Sequence, residues 1–302
     1  MSDLALSSVT RNTLLSLTNT ASLMSRTQNR LSSGLKVGSA IDNAVAYYQS
    51  QNLTDRAVDF SSRKDEINQG ISSLSAAVQG ATLVSSILSQ MKGIINNVST
   101  SDSITRTSMS TAFADLSRQI NSALTDASYQ GLDLVNNSTA SITVYFGEGT
   151  HSSLSVGSTN LNASKLLTTM GTAASTSGIQ MVANMLAAAA GVTVGGFSSL
   201  TSQSALSPAA VLASVGAILD RGISRVRGQM SLLVGNVTFM QSRMDFTSNY
   251  INTLQDGSGK LTLADLNEEG ANLVTLETRQ QIGVQALSIS AQQQQSILSL
   301  LR

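Results

Sequence analysis

The sequence predicts a mainly α-helical protein: a long antiparallel coiled-coil rod with paired N- and C-terminal helices, one β-hairpin and a small outer insertion. Three observations support this fold class. Pro208 is the only proline, and proline is the residue that breaks helices. Two apolar seams, with steps of alternating four and three residues, have the same length. Both chain ends carry apolar stripes, although chain ends are usually polar and frayed.

The composition excludes several classes of function. The 302 residues include 18 basic and 18 acidic side chains, so there is no electrostatic reason to expect binding to nucleic acid or an anionic membrane. The absence of cysteine excludes disulfides, thiol nucleophiles and thiolate metal sites. No stretch reaches the roughly 20 apolar residues of a membrane span, and residues 1–30 lack the apolar core of a secretory signal peptide.

The N-terminal helix is predicted by a seam that stops at Gly34 and Gly38. Six of its eight positions are apolar. They are Thr10, Leu14, Leu17, Ala21, Met24, Gln28, Leu31 and Leu35. A stripe of this kind predicts a helix with one face that must be covered.

The first long helix is predicted by a seam in which ten of thirteen positions are apolar. The positions are Leu53, Ala57, Phe60, Lys64, Ile67, Ile71, Leu74, Val78, Ala81, Ser85, Leu88, Lys92 and Ile95. A second stripe joins it late, at Val84, Ile87, Met91, Ile94 and Val98. The C-terminal half of this helix is therefore expected to contact more than one neighbour.

In the segment after this helix, the spacing of the apolar residues changes from a helical period to an alternation of every second residue. A third helix over about 104–127 is predicted by the stripe Met109, Phe113, Leu116, Ile120, Ala123 and Ala127. Ile142, Val144 and Phe146 then alternate with Thr143 and Tyr145, and "NNST" supplies a turn. This pattern predicts a β-hairpin from about 131 to 146.

Residues 147–205 differ in composition from the rest. They contain eight glycines and only two charged side chains, Glu148 and Lys165. The segment "IQMVANMLAAAAG" could form one short helix that stops at Gly191. The composition fits a small insertion at the far end of the rod, and it fits a mobile loop equally well.

The second long helix is predicted by a seam in which eleven of thirteen positions are apolar. The positions are Leu212, Gly216, Leu219, Ile223, Val226, Met230, Leu233, Val237, Met240, Met244, Thr247, Ile251 and Leu254. Each long seam extends over about 42 residue steps, or about 63 Å. Equal lengths predict that the two helices pack along each other as an antiparallel pair, although such seams alone also fit any helical bundle.

The C-terminal helix is predicted to begin at about 271, after the turn-rich break "DGSGKLTLADLNEE". No charge occurs between Gln280 and Leu301. Neither terminal helix can cover its apolar stripe alone, because ordering the chain costs about as much as the burial returns. We therefore expect the tail to pack on the N-terminal helix, against residues such as Leu14, Leu17 and Met24, and on neighbouring copies.

Three stretches resemble one family. "NRLSSGLKVGSAIDNAVAYYQSQNL" (29–53) is similar to the N-terminal signature of bacterial flagellin, and "QQIGVQALSISAQQQQSILSLLR" (280–302) to its C-terminal end. "DASYQGLDLV" (126–135) resembles the link into its hairpin. The similarity covers about 1–146 and 206–302. It implies a structural subunit, not an enzyme, that is exported unfolded by the flagellar type III apparatus and polymerises into the filament for swimming motility.

The resemblance also implies a domain layout and a set of partners. Residues 1–45 and 258–302 would form an inner coiled-coil domain that lines the filament channel. Residues 46–146 and 206–257 would form the helical rod domain, and 147–205 a variable surface insertion. The implied partners are further copies of the chain, the flagellar cap and hook-junction proteins, and an export chaperone that holds the C-terminus. No cofactor, metal, nucleic acid or membrane is expected.

Two sets of interface residues follow from this layout. The inner self-assembly interface is expected at Leu14, Leu17, Ala21, Met24, Leu31, Leu35, Leu287, Ile297, Leu298, Leu300 and Leu301. The rod-domain seam is expected at Phe60, Ile67, Ile71, Leu74, Leu88, Ile95, Leu219, Ile223, Val226, Met230, Leu233, Val237, Met240 and Ile251.

A third candidate site departs from the family pattern. Flagellins that are sensed by an innate immune receptor carry arginine and glutamate late in the first long helix. Here the stretch is "LSQMKGIINN" (88–97), with Gln90, Lys92 and Gly93 in the corresponding patch. Gln90 and Gly93 stand where arginine and glutamate would be expected, which puts recognition by that receptor in doubt.

Other functions have weaker support. A hook–filament junction protein of the same superfamily commonly has proline soon after the Ser-Gly motif, and "VGSAIDNA" has none. A secreted helical effector would not need matched apolar ends. His151 is the single histidine and has no nucleophile–base pattern around it, so it is interpreted as a surface residue. "DGSGKLTLAD" lacks the glutamate that ends a calcium loop and is interpreted as a linker.

Overall fold

The computed structural model describes residues 8–98, 101, 103–136, 139–147, 149, 152–168 and 208–300. Its helices are α1 (Ser8–Ser33), α2 (Ala44–Val98), α3 (Ser103–Asp126), α4 (Ala163–Thr168), α5 (Pro208–Thr262) and α6 (Leu266–Leu300). Strands β1 (Ser141–Tyr145) and β2 (Ser153–Gly157) form one antiparallel pair. The mainly helical fold class is confirmed. The possible helix at 179–191 and His151 lie outside the described residues.

The chain forms two compact units. The terminal unit comprises Met1–Val58 and Tyr250–Arg302, and the central unit comprises Asp59–Asn249. The units divide α2 after Val58 and α5 after Asn249, whereas the sequence placed the domain boundaries after 45 and 257.

The central unit is built on an antiparallel pair of helices. Contacts between α2 and α5 join residues whose numbers rise on one helix as they fall on the other: Lys64 with Ser248, Thr82 with Met230, and Lys92 with Asp220. Along this pair, the side chains of Leu74, Leu88, Leu219 and Val226 are fully buried. The predicted antiparallel packing of the two seams is confirmed.

By length and mean hydropathy alone, α2 could cross a membrane, because one window of 18 residues reaches a mean hydropathy of 1.4. Several of its large apolar side chains, including Leu74, Leu88 and Met91, are nevertheless buried in the core of the central unit. A core helix of a folded domain passes the same test of composition. In total, 44% of that window is buried inside the protein.

The β-hairpin lies later in the chain than the sequence predicted. Strand β1 pairs with β2, with Ile142 opposite Val156 and Val144 opposite Leu154, so the prediction of a hairpin over about 131–146 is wrong. The earlier residues cannot supply a strand, because the Asp133 carboxylate accepts hydrogen bonds from the N–H groups of Val135 and Asn136. Such a local turn competes with strand pairing.

The segment after β2 belongs to the core. Leu161, Ala163 and Leu166 are fully buried, and the Leu161 N–H donates to the carbonyl of Val135 at 2.7 Å. The prediction that the outer insertion begins at 147 is therefore wrong for residues 152–168. Its composition was misleading because Leu154 and Val156 alternate with serines, which is the signature of a half-buried strand.

Helix α5 is longer than expected at its C-terminal end. It continues through Gly257 and Gly259 to Thr262, so the predicted break at "DGSGK" is wrong. Glycine weakens a helix by about 1 kcal/mol, but here small residues allow close contact with α2. The Ser258 hydroxyl lies 3.0 Å from the hydroxyl of Ser50, and a Cβ on Gly257 would be 3.4 Å from Leu53 Cδ1. The chain breaks only at residues 263–265.

Candidate self-assembly surface

Helices α1 and α6 form an antiparallel pair within the terminal unit. Thr10 Oγ1 lies 3.3 Å from Ser290 Oγ, and Arg30 Nη1 donates to Glu269 Oε1 at 2.9 Å. Between these two contacts, a Cβ on Gly283 would be only 2.7 Å from Leu17 Cδ2. The absent side chain of Gly283 therefore lets α1 approach α6 closely.

The ends of this pair are fixed by backbone interactions. Gly34 terminates α1 with a φ of +71°, and its N–H donates to the carbonyl of Arg30 at 2.8 Å. Glycine adopts this left-handed conformation without steric cost. The Asp265 side chain caps α6 by accepting from the N–H of Asn267 at 2.9 Å. The Ala264 N–H donates to the Gly34 carbonyl at 2.9 Å and ties the two turns together.

The α1–α6 pair leaves many apolar side chains uncovered. Leu15 is 62% exposed and lies about 200° around α1 from Leu17, on the side away from α6. Val274 is also exposed and lies about 180° around α6 from Gly283. Further exposed apolar residues of the pair are Leu14, Leu23, Leu31, Ile282, Val284 and Ile289. Large apolar residues on more than one face of a helix indicate that it packs against more than one neighbour.

The predicted inner interface is distributed unevenly over this surface. Leu14, Ala21 and Leu31 are exposed, whereas Leu17, Met24, Leu35 and Leu287 are partly buried. Ile297, Leu298 and Leu300 lie within α6, but their side chains are outside the described part, as is the whole of Leu301.

The contacts of the α1–α6 pair fix its register. Leu17 lies opposite Gly283 and Thr10 opposite Ser290, so the position of Ile297 falls beyond Thr10 along α1. The expected contact of the tail with Leu14, Leu17 and Met24 stays a prediction, because the side chains of the tail lie outside the described part of the chain. The sequence analysis paired the two stripes by composition, and composition carries no information on register.

The predicted rod-domain seam lies mostly inside the protein. Phe60, Ile67, Leu74, Leu88, Ile95, Leu219, Ile223, Val226, Leu233 and Met240 are buried, and Ile71, Met230, Val237 and Ile251 are partly buried. Ile251 belongs to the terminal unit and the others to the central unit.

The patch considered for an innate immune receptor is exposed at Gln90 and Gly93. Lys92 pairs with Asp220 at 2.5 Å, so its charge is already matched within the chain.

One carboxylate organises the tip of the loop between α1 and α2, and the start of the loop is tied to α5, because the N–H groups of Lys36 and Val37 donate to the Thr262 carbonyl at 2.8 and 3.2 Å. Asp42 Oδ2 accepts hydrogen bonds from the Ser39 hydroxyl at 3.1 Å and from the N–H groups of Gly38 and Ser39 at 3.1 and 3.0 Å. These bonds, led by the Ser39 hydroxyl, lower the pKa of Asp42 from its ordinary value of 3.8. Ile41 at the tip of the same loop is 97% exposed.

The sequence analysis missed most of the exposed apolar residues in the terminal unit. Leu15, Leu23, Ile41, Val274 and Ile289 lie off the seams that were counted. A count that follows one face of a helix does not register apolar residues on its other faces. The sequence nevertheless contains the information, because both end segments have apolar residues at positions outside their seams.

The chemistry of this surface is that of binding. Within the described residues, no group of three histidine, cysteine or acidic side chains could hold a metal ion. Apolar, serine, threonine and glutamine side chains form most of the α1–α6 surface. These features define a structural protein. Its central unit has a continuous core, and its terminal unit has an apolar surface that is suited to association.

Comparisons with known proteins identify the family. Residues 5–140 match the bacterial flagellin N-terminal helical region, and residues 218–301 match the bacterial flagellin C-terminal helical region. The chain is 28% identical to flagellin FljO of Caulobacter vibrioides over 312 aligned positions, covering 99% of this chain and 100% of that protein. It is 28% identical to a flagellin of Brucella melitensis biotype 1, covering 96% of this chain and 95% of that protein.

The chain therefore belongs to the bacterial flagellin family. Flagellins are structural proteins, not enzymes, and they polymerise into the extracellular flagellar filament. The predicted family and the predicted structural role as a filament subunit are confirmed.

Proposed function

We propose that copies of this chain join through the terminal unit to form the inner part of a flagellar filament. The observation that carries the proposal is the exposed apolar surface on the sides of α1 and α6 that face away from each other. Each exposed side chain that a neighbouring copy covers contributes roughly 1.5–3 kcal/mol. Identical copies can provide this cover on every side, because the same surface recurs in each of them.

The two units then have different roles. Residues 1–45 and 258–302 form the inner coiled-coil domain that lines the channel. This domain carries the predicted inner self-assembly interface, whose residues include Leu14, Leu31 and Leu301. Residues 46–146 and 206–257 form the rod domain together with residues 152–168, which contribute Val156, Leu161 and Leu166 to its core, and the buried seam of this domain folds before assembly. The separate roles are supported by the core of the central unit, which is continuous within one chain.

The same apolar surface would need protection before assembly. We propose that an export chaperone holds the uncharged C-terminal stretch of α6, and that the flagellar cap and hook-junction proteins meet the terminal unit at the two ends of the filament. The motivating feature is the absence of charge from Gln280 to Leu301, which leaves that stretch without repulsion between copies. Removal of residues 297–302 should abolish chaperone binding, which titration calorimetry with the purified chaperone would measure.

The test of the assembly surface is the double substitution Ile282→Ser and Ile289→Ser. Both side chains are exposed, so the thermal unfolding of the monomer should not change. Elongation of filament seeds should fail, because every subunit loses two large apolar contacts on the order of 1.5–3 kcal/mol each. Sedimentation of the filaments measures the outcome.

The matched control is Leu83→Ser, which alters an exposed apolar residue of the central unit. This variant should elongate seeds as the unsubstituted chain does. Normal elongation by the double variant would show that the α1–α6 surface does not join the copies. Removal of residues 297–302 should also prevent elongation while the monomer stays folded.

A further inference from the structure

Ile41 stands out among the exposed apolar residues. It is 97% exposed, the highest value among the large apolar side chains that the structure describes. Its loop is fixed by the hydrogen bonds from Gly38 and Ser39 to the Asp42 carboxylate. A side chain that is presented on a fixed loop loses little conformational freedom when it binds.

The exposed surface continues from Ile41 into α2. Val45 and Tyr48 follow at steps of four and three residues, and both are exposed. The ring of Tyr48 is oriented by an edge contact with Tyr47, with ring centroids 5.6 Å apart. We call Ile41, Val45 and Tyr48 together the Ile41 knob.

The central unit contains a cavity that suits an apolar side chain. Its volume is about 230 Å³, which is enough for an isoleucine side chain. The apolar part of its lining is Leu134, Val135, Val156, Leu161, Leu232 and Leu233. Its polar lining carries no charge, and Thr159 and Gln229 there are hydrogen-bonded to each other at 3.1 Å.

Charge distinguishes this cavity from other recesses of the central unit. One recess is lined by Asp59, Arg63 and Glu66, and another by Lys92 and Asp220. Insertion of an isoleucine there would remove water from charged groups at a cost. The neutral cavity accepts an isoleucine without that cost, so Ile41 is compatible with this cavity both in size and in its lack of charge.

We propose that Ile41 of one copy inserts into this cavity of a second copy. The proposal rests on the proposed function, that copies of the chain polymerise. The knob and the cavity are different patches of the same chain, so the contact is heterologous. A heterologous contact that does not close into a ring adds copies without limit and builds an open helical assembly.

Disulfide trapping tests the contact directly, because the chain has no cysteine of its own. Copies with Ile41→Cys are mixed with copies with Leu232→Cys, assembled on seeds and oxidised. A disulfide forms only where the two Cβ atoms come within about 4.5 Å. A covalent dimer that requires both variants is expected, and Leu83→Cys in place of Leu232→Cys should give none. Normal filaments without the dimer, or an equal yield from Leu83→Cys, would overturn the proposal.

A substitution gives a second test. Ile41→Ser should raise the critical concentration for elongation at least about tenfold, whereas Ile104→Ser, at a residue 77% exposed in α3, should leave it unchanged. Monomer melting should be the same for both. An unchanged critical concentration for Ile41→Ser would refute the knob contact alone. If the unsubstituted chain itself fails to elongate seeds, the proposed function falls, and this inference falls with it.

Discussion

The two units of this chain differ in how completely they bury their apolar residues. In the central unit, one continuous core extends from Ile67 to Met240 and includes the fully buried side chains of Phe113 and Ile120. In the described part of the terminal unit, the buried apolar residues are Val37, Ala57, Leu254 and Leu276. The central unit therefore has a large core within one chain, and the terminal unit does not.

The difference arises from the distribution of apolar residues around the helices. In the central unit, the seams of α2 and α5 place most of their apolar residues on the faces that meet, and Leu83, Leu232 and Phe239 are among the exposed exceptions. In the terminal unit, α1 and α6 carry them on several faces, and one partner helix covers only one face. Ordering a residue costs about 1–2 kcal/mol, so a two-helix unit of this kind gains much of its stability from neighbours.

The largest expected contrast comes from one leucine in each unit. Leu74→Ala removes a fully buried side chain and should lower the free energy of unfolding by about 2–5 kcal/mol. Leu15→Ala, at an exposed position, should change it by less than about 0.5 kcal/mol. Urea denaturation of the monomers measures both.

In filament assembly, Leu15→Ala should have a large effect, although its effect on the free energy of unfolding is the smaller of the two. Copies with Leu15→Ala should elongate filament seeds poorly, because Leu15 faces away from α6 toward the proposed neighbours. If Leu15→Ala instead destabilises the monomer as much as Leu74→Ala does, the terminal unit has a core of its own and the comparison fails.

The long helices were predictable from the sequence because their burial follows one regular period. The seams of α2 and α5 matched their buried faces, and equal length predicted the antiparallel pairing. The end of α5 was not predictable, because Gly257 and Gly259 favour a break locally. Contacts of this segment with Leu53 and Ser50 override that preference, and they involve residues distant in sequence.

The hairpin shows a second limit of sequence analysis. The alternation of β1 was recognised, but its partner β2 was assigned to the insertion because serine dominates it. Register was also out of reach for α1 and α6, where the close approach of Gly283 to Leu17 aligns the helices. The candidate assembly surface was predicted as a region, but its exposed residues depend on which faces the fold leaves open.

Glycine-to-alanine substitutions should change the free energy of unfolding by smaller amounts, which differ between the two units. A Cβ on Gly80 would meet the Cβ of Ala127, which is too short to turn away, so Gly80→Ala should cost about 1–3 kcal/mol. A Cβ on Gly283 would meet Cδ2 and Cγ of the Leu17 side chain, which can rotate away more easily than a Cβ, so Gly283→Ala should cost less than about 1 kcal/mol. Gly93→Ala on open α2 surface is the control and should stabilise by about 0.5–1 kcal/mol. Equal losses at Gly80 and Gly283 would contradict the difference in packing.

The smallest expected effect is a response of the terminal unit to acid. Hydrogen bonds from Ser39 and Gly38 lower the pKa of Asp42 below its ordinary value of 3.8. A carboxyl whose pKa is lower in the folded state stabilises that state above the unfolded pKa, and this contribution is lost as the pH falls through the folded pKa. The loop around Ile41 should therefore loosen only below pH 3.8, while β2 in the central unit keeps its pairing with β1.

Backbone amide resonances measured by NMR during an acid titration can follow this change. The amides of Gly38 and Ser39 donate to Asp42, so both should shift together with one midpoint below 3.8. In an Asp42→Asn variant that shared transition should disappear, because the amide side chain does not titrate. The amide of Val156 in β2 is the internal reference and should not follow the same midpoint. A transition that persists in Asp42→Asn would mean that another group holds the loop, and the fixed presentation of Ile41 would then need a different cause.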